Sequence, residues 1–276
     1  TARSMQIDET TGSPPFGACA PNAFQRAVIG FTRGLKENWL GKRQSFFARR
    51  LVLTGLGRPL DLETYGLPFR LHPRDNLCEK RILFTPQFFD KAERAFLADR
   101  LGPGSAFVDI GANVGIYSLL AAKAGARVLA IEPQPVVFAR LAFNIAATGM
   151  ADRVNALQGA VADREGELEI VIDERNLGHS GADTAGEKHI TVSCRPLLAL
   201  MDGHGIARAD AMKIDVEGAE DVILKAYFDA APPDRLPGAI ILENAPTRWG
   251  IDCVAMCGDK GYRVETTTHM NVILVR

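Results

Sequence analysis

Apolar residues follow two different spacings along this chain. Short runs rich in Val, Ile, Leu and Ala at 107–110, 128–131, 154–158, 211–216 and 239–243 predict strands. Longer stretches at 114–124, 136–147 and 219–227 carry apolar positions at helical spacing and predict the helices between them. Strands that alternate with helices imply a parallel sheet joined by right-handed crossovers. Runs at 263–267 and 272–275 predict a closing antiparallel hairpin. A short strand is expected at 67–71 and an amphipathic helix over 88–101, stopped by Gly102, Pro103 and Gly104. Residues 168–172 and 189–192 read as an inserted hairpin joined by the polar loop 173–188, and residues 249–257 as helical.

Upstream, Phe24, Val28, Phe31, Leu35 and Trp39 fall at helical spacing and predict one basic amphipathic helix, followed by a second segment around Phe46, Phe47, Leu51 and Val52. Three regions are expected: a loose tail over 1–20, a basic helical extension over 21–66 and the main domain over 67–276.

One junction carries the chemistry. Val108 and Ile110 end a buried strand, Gly111 and Gly115 allow a sharp bend, and an apolar helix follows. The next strand ends in Glu132, an acid placed to take two ribose hydroxyls. Two cofactors compete for this turn. A dinucleotide brings a pyrophosphate and favours a second glycine where Asn113 stands. S-adenosylmethionine has no phosphate and needs an acid near its amine or sulfonium, a place Asp109 fits. The local pattern favours S-adenosylmethionine, with an NAD-type oxidoreductase as the alternative.

The segments Asp109-Ile-Gly-Ala-Asn-Val-Gly-Ile-Tyr117, Ile131-Glu132-Pro133-Gln134-Pro135, Leu141-Ala-Phe-Asn144, Gly159-Ala160-Val161 and Lys213-Ile-Asp-Val-Glu-Gly-Ala-Glu220, with the strand ending in Glu243, resemble the FkbM family of methyltransferases. The resemblance runs from about Leu67 to the C-terminus. It departs from the family at Pro86-Gln87 and at Arg195-Pro196-Leu197-Leu198. It implies a Rossmann-like class I methyltransferase fold: α/β, with a seven-stranded, mostly parallel sheet and a C-terminal antiparallel hairpin. It also implies O-methylation of a saccharide or secondary metabolite by S-adenosylmethionine. A non-catalytic binding module that kept the fold is a further alternative.

The expected cofactor residues are Asp109, Gly111, Ala112, Asn113, Gly115, Glu132, Pro133, Asn144 and Ala160. The strand-end acids Asp109, Glu132, Asp215, Glu217 and Glu243 would converge on one rim, an unfavourable arrangement unless a cation joins them. Lys213 sits in a strand that should be apolar and needs an acid partner. Lys213, Asp215, Glu217 and the loop histidine His179 are the catalytic candidates, the last because imidazole titrates near neutrality. A divalent ion such as Mg²⁺ held by Asp215 and Glu217 is a secondary expectation.

Composition narrows the partners. The net charge of −1 argues against a general nucleic-acid binder. Charge is uneven, however: residues 21–58 hold eight basic residues and one acid, so this stretch is +7 and the remainder −8. Such a segment suits packing on the domain or a twin subunit, or contact with an anionic membrane or acidic protein. Five scattered cysteines without zinc-site spacing favour a reducing compartment. No apolar run reaches the roughly 18 residues of a membrane span, no apolar leader is visible, and a cytoplasmic location is expected.

Overall fold

The computed structural model describes residues 13–173, 176–178, 180–181 and 188–276. Seven strands form the central sheet: β1 (Ala106–Ile110), β2 (Arg127–Glu132), β3 (Val154–Gln158), β4 (Ala211–Ile214), β5 (Ala239–Glu243), β6 (Arg263–Thr267) and β7 (Asn271–Val275). Their order across the sheet is β6-β7-β5-β4-β1-β2-β3. Strands β1 to β5 are parallel, and β7 lies antiparallel to both β5 and β6. This is the seven-stranded, mostly parallel sheet that the resemblance implies, with the expected terminal antiparallel hairpin. Strand order reverses between β1 and β4, which opens a crevice beyond their carboxyl ends.

Period-two alternation builds two cores. Phe107, Val128, Ala130 and Ile241 pack to one side against helices Ile116–Ala124 and Pro135–Thr148. Val108, Ile110, Leu129, Met212 and Ile240 pack to the other, against helices Leu197–Gly203, Glu220–Ala230 and Cys253–Asp259. Asp109 therefore points into the first layer, towards Ser118. Cys253 and Cys257 are buried core thiols. The inserted hairpin is present as Gly166–Ile172 and Lys188–Arg195, paired antiparallel with Ile170 opposite Ile190.

Several elements differ from the sequence reading. Strand Leu67–Leu71 pairs with Leu60–Thr64, which lacked a clear alternating pattern. Helix Leu77–Phe84, capped by the Asn76 side chain, was not foreseen. The expected helix over 88–101 begins only at Lys91, because Asp90 takes a left-handed conformation with φ 39° after a short turn at Pro86–Phe88. The helix expected from 249 begins at Cys253, where Asp252 caps it.

The N-terminal stripe is the largest correction. The helix expected along the Phe24–Trp39 stripe ends at Arg33, and the second segment is the helix Trp39–Leu53, which takes Trp39 as its first residue. Gly34 closes the first, and Asn38 caps the second by accepting from the Gly41 N–H. Their buried face is Ile29, Thr32, Gly41, Ser45 and Val52. Phe24, Phe31 and Trp39 of the predicted stripe face solvent instead. At Gly41 a Cβ would lie 2.1 Å from the Lys36 carbonyl oxygen of the connecting turn, so this face accepts only a glycine there and the large aromatics stay outside. Among the described residues, no helix is long and apolar enough to cross a membrane.

Asn144 needs a second correction. It was expected to touch the cofactor, yet it is fully buried away from the crevice. Its Oδ1 accepts from the Arg70 N–H at 2.9 Å and its Nδ2 donates to the Val114 carbonyl at 3.1 Å. It ties strand Leu67–Leu71 to the glycine turn. Asn144→Leu orphans both backbone groups, so urea unfolding is expected to show a loss of about 2–4 kcal/mol.

Candidate functional site

The bend after β1 starts with backbone hydrogen bonds. Gly111 and Ala112 both donate N–H to the Ile131 carbonyl at 3.0 Å, which curls the turn over the end of β2. Gly111 sits at φ +78°, and a Cβ there would lie 1.8 Å from the Asp215 carbonyl oxygen. Only glycine lets this turn press so closely on the end of β4. Asn113 also takes a left-handed conformation at φ 51°. Its side-chain oxygen accepts from Asn76 Nδ2 and from the Val114 N–H.

Gly115 departs from its expected role. It caps the following helix at φ +90° and packs on Leu141, where a Cβ would come within 2.5 Å of a methyl. It shapes the turn from behind and does not line the crevice.

Glu132, buried at the end of β2, spends both carboxylate oxygens on the same corner. One accepts from the Asn113 N–H and the other from the Gln134 N–H, each at 2.9 Å. Burial raises its pKa to about 7 despite those two donors. Asp109 accepts from Ser118 Oγ at 2.6 Å, and burial raises its pKa too, against the pull of Lys213.

Lys213 stands beside Asp109 across the β1–β4 register and is only 3% exposed. Its ammonium meets Asp215 at 2.5 Å and lies 5.0 Å from the Tyr117 ring centroid. Burial alone would lower its pKa, but Asp215 and Asp109 outweigh that and hold it above the ordinary lysine value. Lys213 is thus a fixed cation. Tyr117 passes the network on by donating its hydroxyl to Asp90 at 2.9 Å.

Beyond β4 the chain turns through Glu217 (φ 58°) and Gly218. Glu220 accepts from the Val216 and Gly218 N–H groups and so staples this turn to its helix, a structural role. Asp215, Glu217 and Glu243 each bring one oxygen within 4.8 Å of the others, which is where the sequence reading placed a divalent ion. Two side-chain cations already serve these acids. Lys213 meets Asp215, while the Arg248 guanidinium bridges Glu217 at 2.5 Å and Glu243. Burial raises Glu243 to about 8, helped by Asp215 and Glu217.

The folded protein holds the Glu132 and Glu243 protons more tightly than an unfolded chain, where glutamate titrates near 4.5. Their stabilising contribution is therefore complete below about pH 4.5 and lost as pH rises through about 7 and about 8. Thermal melts should show Tm falling between about pH 5 and about pH 9, with a flatter profile for Glu243→Gln.

These groups surround a cavity of about 380 Å³. Asp109, Gly111, Ala112, Asn113, Glu132, Pro133 and Ala160 line one half. Lys213, Asp215, Glu217, Glu243 and Arg248 line the other, with Arg81, Asp90, Tyr117 and Asn76 closing the wall. His179 lies outside the described residues. The sequence reading missed Arg248, Asp90, Arg81 and Asn76. The one signal for Arg248 was its position five residues after a strand-end acid that would need a counterion.

The chain is similar to known proteins in sequence and, more distantly, in fold. The family described as Methyltransferase FkbM domain matches residues 109–243. Methyltransferase sdnD of Sordaria araneosa is 31% identical over 190 residues, covering 57% of this chain and 73% of that protein. The 31-O-demethyl-FK506 methyltransferase FkbM of Streptomyces tacrolimicus is 30% identical over 193 residues, covering 57% and 72%. Among solved structures, precorrin-6y C5,15-methyltransferase from Geobacter metallireducens overlaps 68% of this chain and 89% of its own, at 17% identity and a TM-score of 0.43.

Proposed function

Because the chain belongs to the FkbM family of methyltransferases, we propose that it moves a methyl group from S-adenosylmethionine to a hydroxyl oxygen of a small saccharide or secondary metabolite. The observation that carries this reading is the charge of the cavity wall. Six acids (Asp90, Asp109, Glu132, Asp215, Glu217, Glu243) face three bases (Arg81, Lys213, Arg248). At neutral pH Glu243 is mostly protonated and Glu132 only partly ionised, so it is the other four carboxylates that set the wall's negative charge against the three bases; such a wall attracts a cationic sulfonium and repels a pyrophosphate. The Asn113 side chain, standing where a dinucleotide motif has its second glycine, acts in the same direction.

The cavity fits the donor in its parts. Glu132 would hold the ribose hydroxyls, since its two backbone donors leave lone pairs open. Asp109 would face the positive end of the donor, Gly111 and Ala112 its amino-acid tail, and Pro133 and Ala160 the adenine slot. When bound, the sulfonium supplies a methyl carbon already activated for in-line displacement. The protein's remaining task is alignment and removal of one proton. Lys213, kept charged, serves as a positioning residue that fixes the Asp215 carboxylate at the cavity wall. Asp215, with Glu217 beside it, would take the proton from the acceptor hydroxyl. Arg248 and Lys213 balance the cluster, so the scheme routes no step through a metal ion.

Incubation of the chain with methyl-labelled S-adenosylmethionine and a panel of hydroxylated acceptors tests this. Label is expected on an acceptor oxygen, and Asp215→Asn should slow transfer by about 100-fold while donor binding persists. Transfer at full rate in Asp215→Asn would remove the assigned base.

A further inference from the structure

The two N-terminal helices present an outward surface that the proposed reaction does not use. Within Trp39–Leu53, the residues Trp39, Arg43, Phe46 and Arg50 follow the i, i+4, i+7, i+11 pattern and share one stripe, with Leu40, Phe47 and Leu51 on the stripe beside it. Gly41, Ser45 and Val52 form the buried stripe on the opposite face. Trp39 is 72% exposed, Leu51 61% and Phe47 53%. Phe24 and Phe31 of the neighbouring helix are exposed in the same way. A monomeric domain seldom leaves so many large apolar side chains together in water without a partner for them.

The cations are interleaved with the rings. The Arg43 guanidinium lies 5.4 Å from the Trp39 ring centroid and 5.6 Å from that of Phe47. Arg49 and Arg50 lie 5.0 and 4.5 Å from Phe46. Arg26, Arg33 and Arg58 donate to backbone carbonyls within the fold. Lys36, Lys42, Arg43, Arg49 and Arg50 form no ion pair among the described residues. They remain for an outside partner of negative charge.

We infer that this face docks on an anionic lipid bilayer, with Trp39, Leu40, Phe47 and Leu51 entering the headgroup–acyl boundary and the arginines meeting lipid phosphates. Both halves of the surface are needed to choose this occupant. The leucines add nothing to recognition of a phosphate polymer, but they add buried area in a bilayer. A second copy meeting this one by the same face across a two-fold axis would set one +7 surface against another. Arginines stacked on aromatic rings suit a layer where one end is apolar and the other wet. Helix Ala23–Arg33 packs on helix Leu77–Phe84, whose first residues line the cavity, so docking would bring the membrane near the cavity wall.

Co-sedimentation of the intact chain with vesicles tests the inference. Binding is expected to phosphatidylcholine vesicles containing phosphatidylglycerol and not to phosphatidylcholine alone, and it should weaken as salt rises. R43E/R50E should bind at least about 100-fold more weakly, because each charge near such a surface contributes roughly a five-fold factor and the variant both removes two cations and adds two anions. W39S/F47S should also lose binding. Both variants should keep the parent Tm, since the changed side chains lie outside the core. In a Trp249→Phe background, Trp39 emission should shift to the blue on anionic vesicles. Folded parent protein that ignores anionic vesicles at low salt would overturn the inference. So would sedimentation equilibrium showing a dimer that dissociates in W39S/F47S.

Discussion

Gly111→Ala should raise the Kd for S-adenosylhomocysteine, the demethylated form of the proposed donor, by at least about 100-fold. Two effects combine. An alanine at φ +78° incurs about 1–2 kcal/mol of backbone strain. Its methyl would also lie 1.8 Å from the Asp215 carbonyl oxygen and 2.9 Å from the carbonyl carbon, so the turn or the end of β4 must move. That movement displaces Ala112 and Asn113, and with them the N–H that holds Glu132. Gly104→Ala is the matched control. Gly104 sits at φ +87° with nothing within 4 Å of a new Cβ, so it incurs the strain without the clash. Its Tm should fall modestly while ligand affinity stays as in the parent. Titration calorimetry on both variants, with Tm measured alongside, separates the two effects.

Lys213→Met should cost about 3–5 kcal/mol of stability and at least about 100-fold in turnover. Methionine preserves the volume but leaves Asp109 and Asp215 without their shared cation, in a place only 1% exposed for Asp109. Adding Asp109→Asn should recover part of the stability and none of the turnover. Stability asks only that the buried charge be balanced, whereas catalysis asks that Asp215 be held in place. Lys213→Arg should not rescue either property, because the Tyr117 ring 5.0 Å away leaves little room for a planar guanidinium. Urea unfolding and single-turnover transfer on the same preparations decide these outcomes.

Much of this architecture was legible in the residue pattern, for identifiable reasons. The strands of the parallel sheet are buried on both faces, so they stand out as β-branched and aliphatic runs. The turn at Gly111 and the acid at Glu132 are fixed by local chemistry within 22 residues, which a spacing argument can see. Lys213 stood out because a charge in a buried strand demands an acid partner, which the fold supplies as Asp215, two residues on.

What stayed hidden depends on distant contacts. Asn144 looked like a cofactor ligand because it follows Glu132 on the next helix. Its actual partners, Arg70 and Val114, are 74 and 30 residues away. Gly115 was assigned to the ligand because two glycines flank the bend, yet its neighbour is Leu141 from another helix. Arg248 was missed because nothing local shows that a loop after β5 folds back over two acids. The N-terminal stripe failed for a different reason. Helical spacing shows which residues share a face but not whether that face turns inward, and here the inward face is Gly41, Ser45 and Val52, with Gly41 pressed on the Lys36 carbonyl.

The central claim is that the bend at Gly111 and the acid at Glu132 form a site for a positively charged sulfur donor. Calorimetric titration of the chain with S-adenosylmethionine and, separately, with NAD⁺ and NADH tests it most directly. The account predicts saturable binding of S-adenosylmethionine that is lost in Glu132→Ala, and no heat from either dinucleotide. Saturable dinucleotide binding with no response to S-adenosylmethionine would contradict it.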